Sequence, residues 1–314
     1  MKILFHDVAG PWLQRQFRDM TASGMNVEWI APDDDARFQE LLPDAEAIWH
    51  VLRPLAAEDM ARAPKLRLIQ KIGVGVNTID LDAARARGIA VCNMPGSNAQ
   101  AVAEMTLLLM LACLRRLTAL DRAVRDGRGW ALAPDFRENF GEIAGRIVGL
   151  VGVGTIPRRL IPPLLALGAE VIYTATGPKA DTPARFVPLD DLLATADIVS
   201  LHVPLTEATR GMVGAAQLAR MKRGAILINT ARGGLVDQAA LVAALRSGHL
   251  GATGLDVFAE EPIAADDPLR GIGNAIVTPH LAWLTDGTLT RSLAIAAENC
   301  RRLAAGETLL HRVV

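Results

Sequence analysis

The feature that most restricts the fold is a series of short aliphatic runs separated by stretches rich in Ala, Leu and Arg, which stops once and then restarts. The first series reads as strands at Lys2 to Phe5, Val27 to Ile30, Ala47 to Leu52, Leu68 to Ile72 and Ala90 to Asn93. Runs this short, rich in β-branched residues and joined by helical segments, predict βαβ units and parallel sheets. After Pro95 the alternation ceases, a boundary is expected near Ser97, and Ala99 to Arg125 reads as one long helix. A second series follows at Ile147 to Val151, Glu170 to Tyr173, Ile198 to His202, Ala225 to Asn229, Ala252 to Asp256 and Ala275 to Thr278, six strands of a second sheet. The tail from Thr285 to Ala305 reads as a helix that returns to the first domain.

Composition narrows the function classes. A chain of 314 residues, 51% of them apolar, divides into about two domains at roughly 100–200 residues each. Its 33 basic and 34 acidic residues leave a net charge of -1, and no Lys/Arg run exceeds a pair. That balance gives no electrostatic footprint for nucleic acid. Cys92, Cys113 and Cys300 show neither CxxC spacing nor a nearby His pair, so no disulfide framework and no metal site is expected, and the thiols fit a reducing cytoplasm. The most apolar stretch, Met105 to Cys113, is far shorter than the ~20 residues of a membrane span. MKILFHDV runs straight into a strand-like pattern, so neither signal peptide nor anchor is expected.

The restart begins with VGLVGVGTIP, Val148 to Pro157. In a GxGxxG turn the first glycine permits the bend, the second lets backbone N–H groups approach a pyrophosphate, and the third lets helix and strand pack closely. Gly152 and Gly154 meet the first two needs, and Pro157 stands where the third glycine is expected. Alone the motif fits any tight βα turn; with a strand before it and a helix after it, it predicts dinucleotide binding by the backbone of Gly152 to Ile156, Thr155 included. Pro157 suits a first helical turn, but Pro162 and Pro163 each cost ~3 kcal/mol in a regular interior, so a kink or restart is expected near Ile161. The strand that should end in a ribose-binding acid ends instead in Tyr173, Thr174, Ala175, Thr176. With no carboxylate there to repel a 2′-phosphate, Thr174 and Thr176 as donors, and Lys179 or Arg158 within possible reach, NADP is favoured over NAD, the alternative being a neutral loop that accepts both.

Three polar residues then close apolar runs: Arg232 in NTARGGLVD, Glu261 in GLDVFAEEP and His280 in VTPHLA. Singly they could be a surface arginine, a turn acid and a core histidine. Together, at strand ends along one edge of a sheet, they occupy the place where such folds bind ligands. Glu104, charged within an apolar stretch, reads as a buried, hydrogen-bonded helix residue.

With GVGVNTIDLDAARARGIAVCNMPGSNAQAVAE from Gly73 and LHVPLTEATRGMV from Leu201, the chain resembles the D-isomer-specific 2-hydroxyacid dehydrogenases, and among them the glyoxylate/hydroxypyruvate reductases. The resemblance implies an α/β chain of two Rossmann-like doubly wound parallel-sheet domains with a cleft between them. Residues 1–98 and 283–314 would form a discontinuous substrate domain, residues 99–282 a dinucleotide-binding domain, and the nucleotide domains a homodimer. It implies an NAD(P)-dependent enzyme interconverting 2-keto acids and D-2-hydroxy acids. Arg232 would hold the substrate carboxylate and carbonyl, His280 act as acid/base, and Glu261 orient and charge the histidine. The chemistry asks for these types: imidazole, with an unperturbed pKa of ~6.5, can protonate an alkoxide near neutrality, a carboxylate favours its charged form, and a guanidinium grips a carboxylate bidentately.

The resemblance also implies backbone contacts from Val74 and Gly75 to the substrate carboxylate. For the cofactor it implies Asp256 at the nicotinamide amide, Thr230 and Ala231 at the nicotinamide ribose, and His202, Val203 and Pro204 on the adenosine side. Substrate choice is expected from Trp49 to Arg53, Asn77 and Trp283, with Arg53 a candidate second cation for a polar or dicarboxylic acid. Family members acting on formate carry glutamine in place of Glu261, and those acting on phosphite carry lysine in place of Val74, so neither substrate is expected. The competing reading is a nucleotide-sensing binding protein or corepressor on the same fold, which retention of all three polar residues disfavours.

Overall fold

Aliphatic runs that are buried on both faces need helices above and below them, and both series of runs obtain this cover. A computed structural model describes residues 1–137 and 140–314 and divides the chain into two units, Met1–Asn98 with Thr285–Val314, and Ala99–Leu284.

In the first unit β1 (Lys2–His6), β2 (Asn26–Ile30), β3 (Ala47–His50), β4 (Leu68–Lys71) and β5 (Ala90–Cys92) form a parallel sheet in the order β2-β1-β3-β4-β5. This is one of the two common doubly wound orders. Leu4, Ile48, Ile69 and Val91, one from each of four strands, lie in one core with Phe38, Leu42 and Met60. The helix Asp286–Ala305 belongs to this unit; Thr285 caps its start, accepting from the Thr288 N–H at 3.1 Å. Asn299 on this helix is fully buried, donates to Gln70 Oε1 at 2.6 Å and accepts from the Leu310 N–H at 2.7 Å. The chain end then pairs with β5, Val313 N–H donating to Val91 O at 2.7 Å.

In the second unit β6 (Ile147–Val151), β7 (Glu170–Thr174), β8 (Arg185–Phe186), β9 (Ile198–Leu201), β10 (Ala225–Asn229), β11 (Leu250–Leu255) and β12 (Ala275–Val277) form a parallel sheet ordered β12-β11-β10-β9-β6-β7-β8. Counted from β6 this is the Rossmann order, with its switch point between β6 and β9. The sheet has one strand more than the six expected, because the two-residue edge strand β8 is too short to show as an aliphatic run.

Two helices differ from expectation. The long helix is two, Ala99–Leu114 and Leu117–Arg125, broken by Arg116 in the left-handed region at φ 49. Its guanidinium lies 3.8 Å over the Phe136 ring, and the Leu114 carbonyl accepts instead from the Gly141 N–H at 2.9 Å. Conversely, no break occurs near Ile161: one helix runs Thr155–Ala166 with both prolines inside. Pro157, Leu160, Ile161 and Leu164 bury its inner face, whereas Pro162 is exposed. The carbonyl that loses its N–H partner lies one turn earlier on the same side, where water can replace the bond. Glu104 is exposed rather than buried and accepts from Gln100 at 2.7 Å.

Candidate active site

The glycine turn sits at the switch point of the second sheet. Gly152 has φ +98, and a Cβ built there would lie 2.7 Å from the His202 carbonyl oxygen. Only glycine fits this approach between the ends of β6 and β9. The turn is pinned by Gly152 N–H to Thr174 O and His202 N–H to Val151 O, both at 2.8 Å. Gly154 is the N-cap of the helix Thr155–Ala166, is exposed, and brings no side-chain cap, so the first-turn N–H groups around Thr155 and Ile156 remain for an anion. A cradle that a Cβ would fill, followed by an uncapped helix start, fits a dinucleotide pyrophosphate.

Around it the other expected cofactor residues fall in the same unit. Thr174 ends β7 half-buried and Thr176 follows it exposed. His202 shares a 2.9 Å hydrogen bond with Ser200, and burial pushes its pKa down to about 3, so the ring is neutral and not a second acid. Val203 and Pro204 continue from it. The Thr230 hydroxyl meets the Thr106 hydroxyl at 3.0 Å, and the Ala231 N–H donates to Asn229 Oδ1 at 3.0 Å.

The polar trio is carried by the loops that follow β10, β11 and β12. Asn229, the last residue of β10, also donates to the Arg232 carbonyl at 2.9 Å and so clamps the strand end that presents Arg232. The guanidinium donates to the Ala231 carbonyl at 2.6 Å, and burial lowers its pKa against the opposing charge of Glu261. Glu261 accepts from the Phe258 N–H at 2.9 Å through Oε1 and meets His280 Nδ1 at 2.6 Å through Oε2. Burial pushes its carboxyl up, but the hydrogen bonds from His280 and Phe258, with the charges of His280 and Arg232, outweigh this and hold it below the usual value. An ionised carboxylate only accepts, so Nδ1 carries a proton and Nε2 is the nitrogen left for a substrate.

His280 is held in the left-handed region at φ 56. The brace is Asp256, 1% exposed after β11, which accepts from Thr278 Oγ1 at 2.6 Å and from the N–H groups of Leu281 and Ala282 at 3.0 and 2.8 Å. Burial raises the Asp256 pKa despite these bonds. Trp283, which falls in the second unit, donates from its indole to the His280 carbonyl at 3.1 Å. Sequence reading missed Asn229, this bracing by Asp256, and Gly233, whose Cβ would lie 1.8 Å from the Phe258 carbonyl oxygen. Only the last left a signal, the paired glycines after Arg232.

In the first unit, Val74 is exposed and Gly75 half-buried in the loop after β4. Asn93 steadies this loop by donating to the Val74 carbonyl at 2.9 Å. Arg53 does not present a spare cation: it donates to Asp59 at 2.8 Å and Asp35 at 2.7 Å and lies 4.5 Å over the Phe38 ring. Trp49 is fully buried and serves packing, whereas Asn77 is exposed. His50 is buried, with a pKa pushed down to about 3 by burial and by Lys71.

Comparison with known proteins converges on one group. Residues 107–282 match the family model described as "D-isomer specific 2-hydroxyacid dehydrogenase, NAD binding domain". A D-3-phosphoglycerate dehydrogenase of Mycobacterium leprae is 40% identical over 290 residues, 90% of this chain and 54% of the relative. The chain thus spans about half the length of that relative. A glyoxylate reductase of Korarchaeum cryptofilum is 39% identical over 283 residues, covering 88% of this chain and 85% of its own. The crystal structure of the TT0316 protein from Thermus thermophilus superposes with a TM-score of 0.91 at 38% identity, over 100% of both chains.

Proposed function

The chain belongs to the D-isomer-specific 2-hydroxyacid dehydrogenase family, and on that premise we propose that it is a reductase of small 2-keto acids, of the glyoxylate and hydroxypyruvate type, preferring NADPH to NADH. The observation that carries the reading is the 2.6 Å contact of His280 Nδ1 with Glu261, which leaves Nε2 without a hydrogen-bond partner among the described residues. When bound, the nicotinamide cofactor supplies the hydride; Gly152, Gly154 and the uncapped helix start are the residues that would hold it, with Thr174 and Thr176 toward the adenosine ribose.

Arg232 binds the substrate carboxylate and polarises the carbonyl, a task its permanently charged fork suits. As hydride arrives at carbon, the carbonyl oxygen becomes an alkoxide, and the proton on His280 Nε2 moves to it. Glu261 accepts from Nδ1 and so orients the ring with Nε2 toward the substrate. Asp256 is assigned to the nicotinamide amide as well as to the brace beneath His280. Arg53 is already saturated by Asp35 and Asp59, so it is not assigned as a second cation for a dicarboxylic or phosphorylated acid. Exposed Leu108, Leu111, Leu117 and Val124 on the helices Ala99–Leu114 and Leu117–Arg125 support a homodimer through the nucleotide domains.

A panel of 2-keto acids assayed with NADH and NADPH tests the reading, with His280→Asn as control. Asparagine tolerates the left-handed backbone, so turnover should fall about 10²-fold or more while cofactor still binds. Folded protein that reduces no 2-keto acid would refute the proposal, as would near-normal turnover by the variant.

A further inference from the structure

The segment that follows β7 carries a carboxylate that the strand end itself lacks. Arg158, in the helix that starts at the glycine turn, is forked onto Asp181, Nη1 to Oδ2 at 2.7 Å and Nη2 to Oδ1 at 2.9 Å, with Nη1 also 3.2 Å from the Asp181 carbonyl. Arg158 is one turn from the N-cap, its N–H donating to Gly154 O at 3.3 Å. Asp181 lies on the segment between β7 and β8, which follows Thr174 and includes Thr176. That segment is anchored: buried Tyr173 accepts on its hydroxyl from the Lys179 N–H at 2.6 Å, and its ring packs 5.6 Å from Phe186 of β8.

We propose that Arg158 and Asp181 form a displaceable pair that sets the choice between the two reduced cofactors, Arg158 as ligand of the adenosine 2′-phosphate and Asp181 as its competitor. The inference rests on the reductase reading above and adds to it the residues that discriminate. Both side chains are exposed, at 36% and 73%, so the bridge between them contributes little and opens at small cost. A phosphate offers the guanidinium three acceptor oxygens and more charge than a carboxylate, and displaces Asp181 from it. The displaced carboxylate then faces the phosphate, which limits the preference for NADPH. A cofactor with a free 2′-hydroxyl leaves the pair closed and meets no net charge.

The test is fluorescence titration of the full chain with NADPH and with NADH, for wild type, Arg158→Gln and Asp181→Asn, each checked by thermal melting. Loss of the charged fork should raise the Kd for NADPH about tenfold and leave that for NADH within about twofold. Asp181→Asn should shift NADPH the other way, to tighter binding by roughly threefold or more, with NADH again nearly unchanged. Either variant altering both cofactors equally, or Arg158→Gln leaving NADPH unaffected, would overturn the assignment while the reductase reading stands. Wild type binding neither cofactor would overturn both.

Discussion

Replacing Gly233 by alanine should damage the site more than any other single methyl group. Gly233 directly follows Arg232, and a Cβ there would lie 1.8 Å from the Phe258 carbonyl oxygen, 1.9 Å from its carbon and 2.5 Å from the Ala259 nitrogen. All three are backbone atoms, so no rotamer change relieves the overlap. The gap to ordinary contact is about 1.5 Å, and closing it means separating the segment that carries Arg232 from the turn that carries Glu261, whose Oε1 is bonded to the Phe258 N–H. Misplacement of a catalytic constellation by about 1 Å can cost ~10²-fold in rate. Overpacking costs typically ~1–3 kcal/mol, or a few degrees of melting temperature for a unit of this size at roughly 2–4 °C per kcal/mol. The control is its neighbour: a Cβ on Gly234 would meet only side-chain atoms, Leu205 Cδ2 at 3.0 Å and Cδ1 at 3.3 Å, which can rotate away. In a coupled measurement of kcat/KM and melting temperature, Gly233→Ala should lose both activity and stability while Gly234→Ala stays within a few-fold of wild type. Activity of Gly233→Ala within threefold of wild type, with an unchanged melt, would refute the claim that this contact sets the spacing of Arg232 and Glu261.

Two further outcomes are expected. Glu261 has a folded pKa below its usual value of about 4.3, so its stabilising contribution is present above that value and is lost as pH falls through the folded one. The melting-temperature gap between wild type and Glu261→Gln should therefore be widest near neutrality and close in acid, and a gap independent of pH would contradict the assignment. Asp256→Ala orphans the N–H groups of Leu281 and Ala282 and should destabilise the protein by about 3 kcal/mol, with kcat falling more than the affinity for cofactor because His280 loses its brace; equal losses in both would argue for a general structural role.

What sequence could show was set by the range of each interaction. Strand positions such as Ile198 to Leu201 and Ala225 to Asn229 were readable because burial on both faces leaves a continuous aliphatic run. Gly152, Arg232, Glu261 and His280 were readable because each sits at the end of such a run. The break at Arg116 was not, since it depends on stacking over Phe136 from outside the helix. Nor was the survival of the helix through Pro162 and Pro163, because it depends on the packing of Leu160, Ile161 and Leu164 and on the exposure of the opposite face, which only the fold supplies. Arg53 looked available in sequence, and only packing shows that Asp35 and Asp59 claim it. Asp181 escaped for the same reason: it lies outside the strand end where a ribose acid is sought and reaches Arg158 across 23 positions of chain.

These long-range pairings also explain why Arg232, among the three arginines weighed for a ligand, is the one suited to a substrate anion. Arg53 and Arg158 are each forked onto carboxylates. Arg232 has the Ala231 carbonyl as its one hydrogen-bond acceptor among the described residues, although burial already depresses its pKa. Glu261 does not quench it, because one carboxylate oxygen is taken by the Phe258 N–H and the other by His280. Folding thus leaves a partly desolvated cation, which suits the proposed role of binding a carboxylate from outside. With that carboxylate bound and His280 protonated, the two cations and two anions balance. In the proposed reaction, proton transfer to the alkoxide would leave a neutral imidazole beside Glu261, and the ring would need a proton from water before the next turnover. Side-chain exposures of 21% for His280 and 31% for Glu261 give water a route to the ring, so in that reaction the partial exposure of the pair would serve the reset between turnovers.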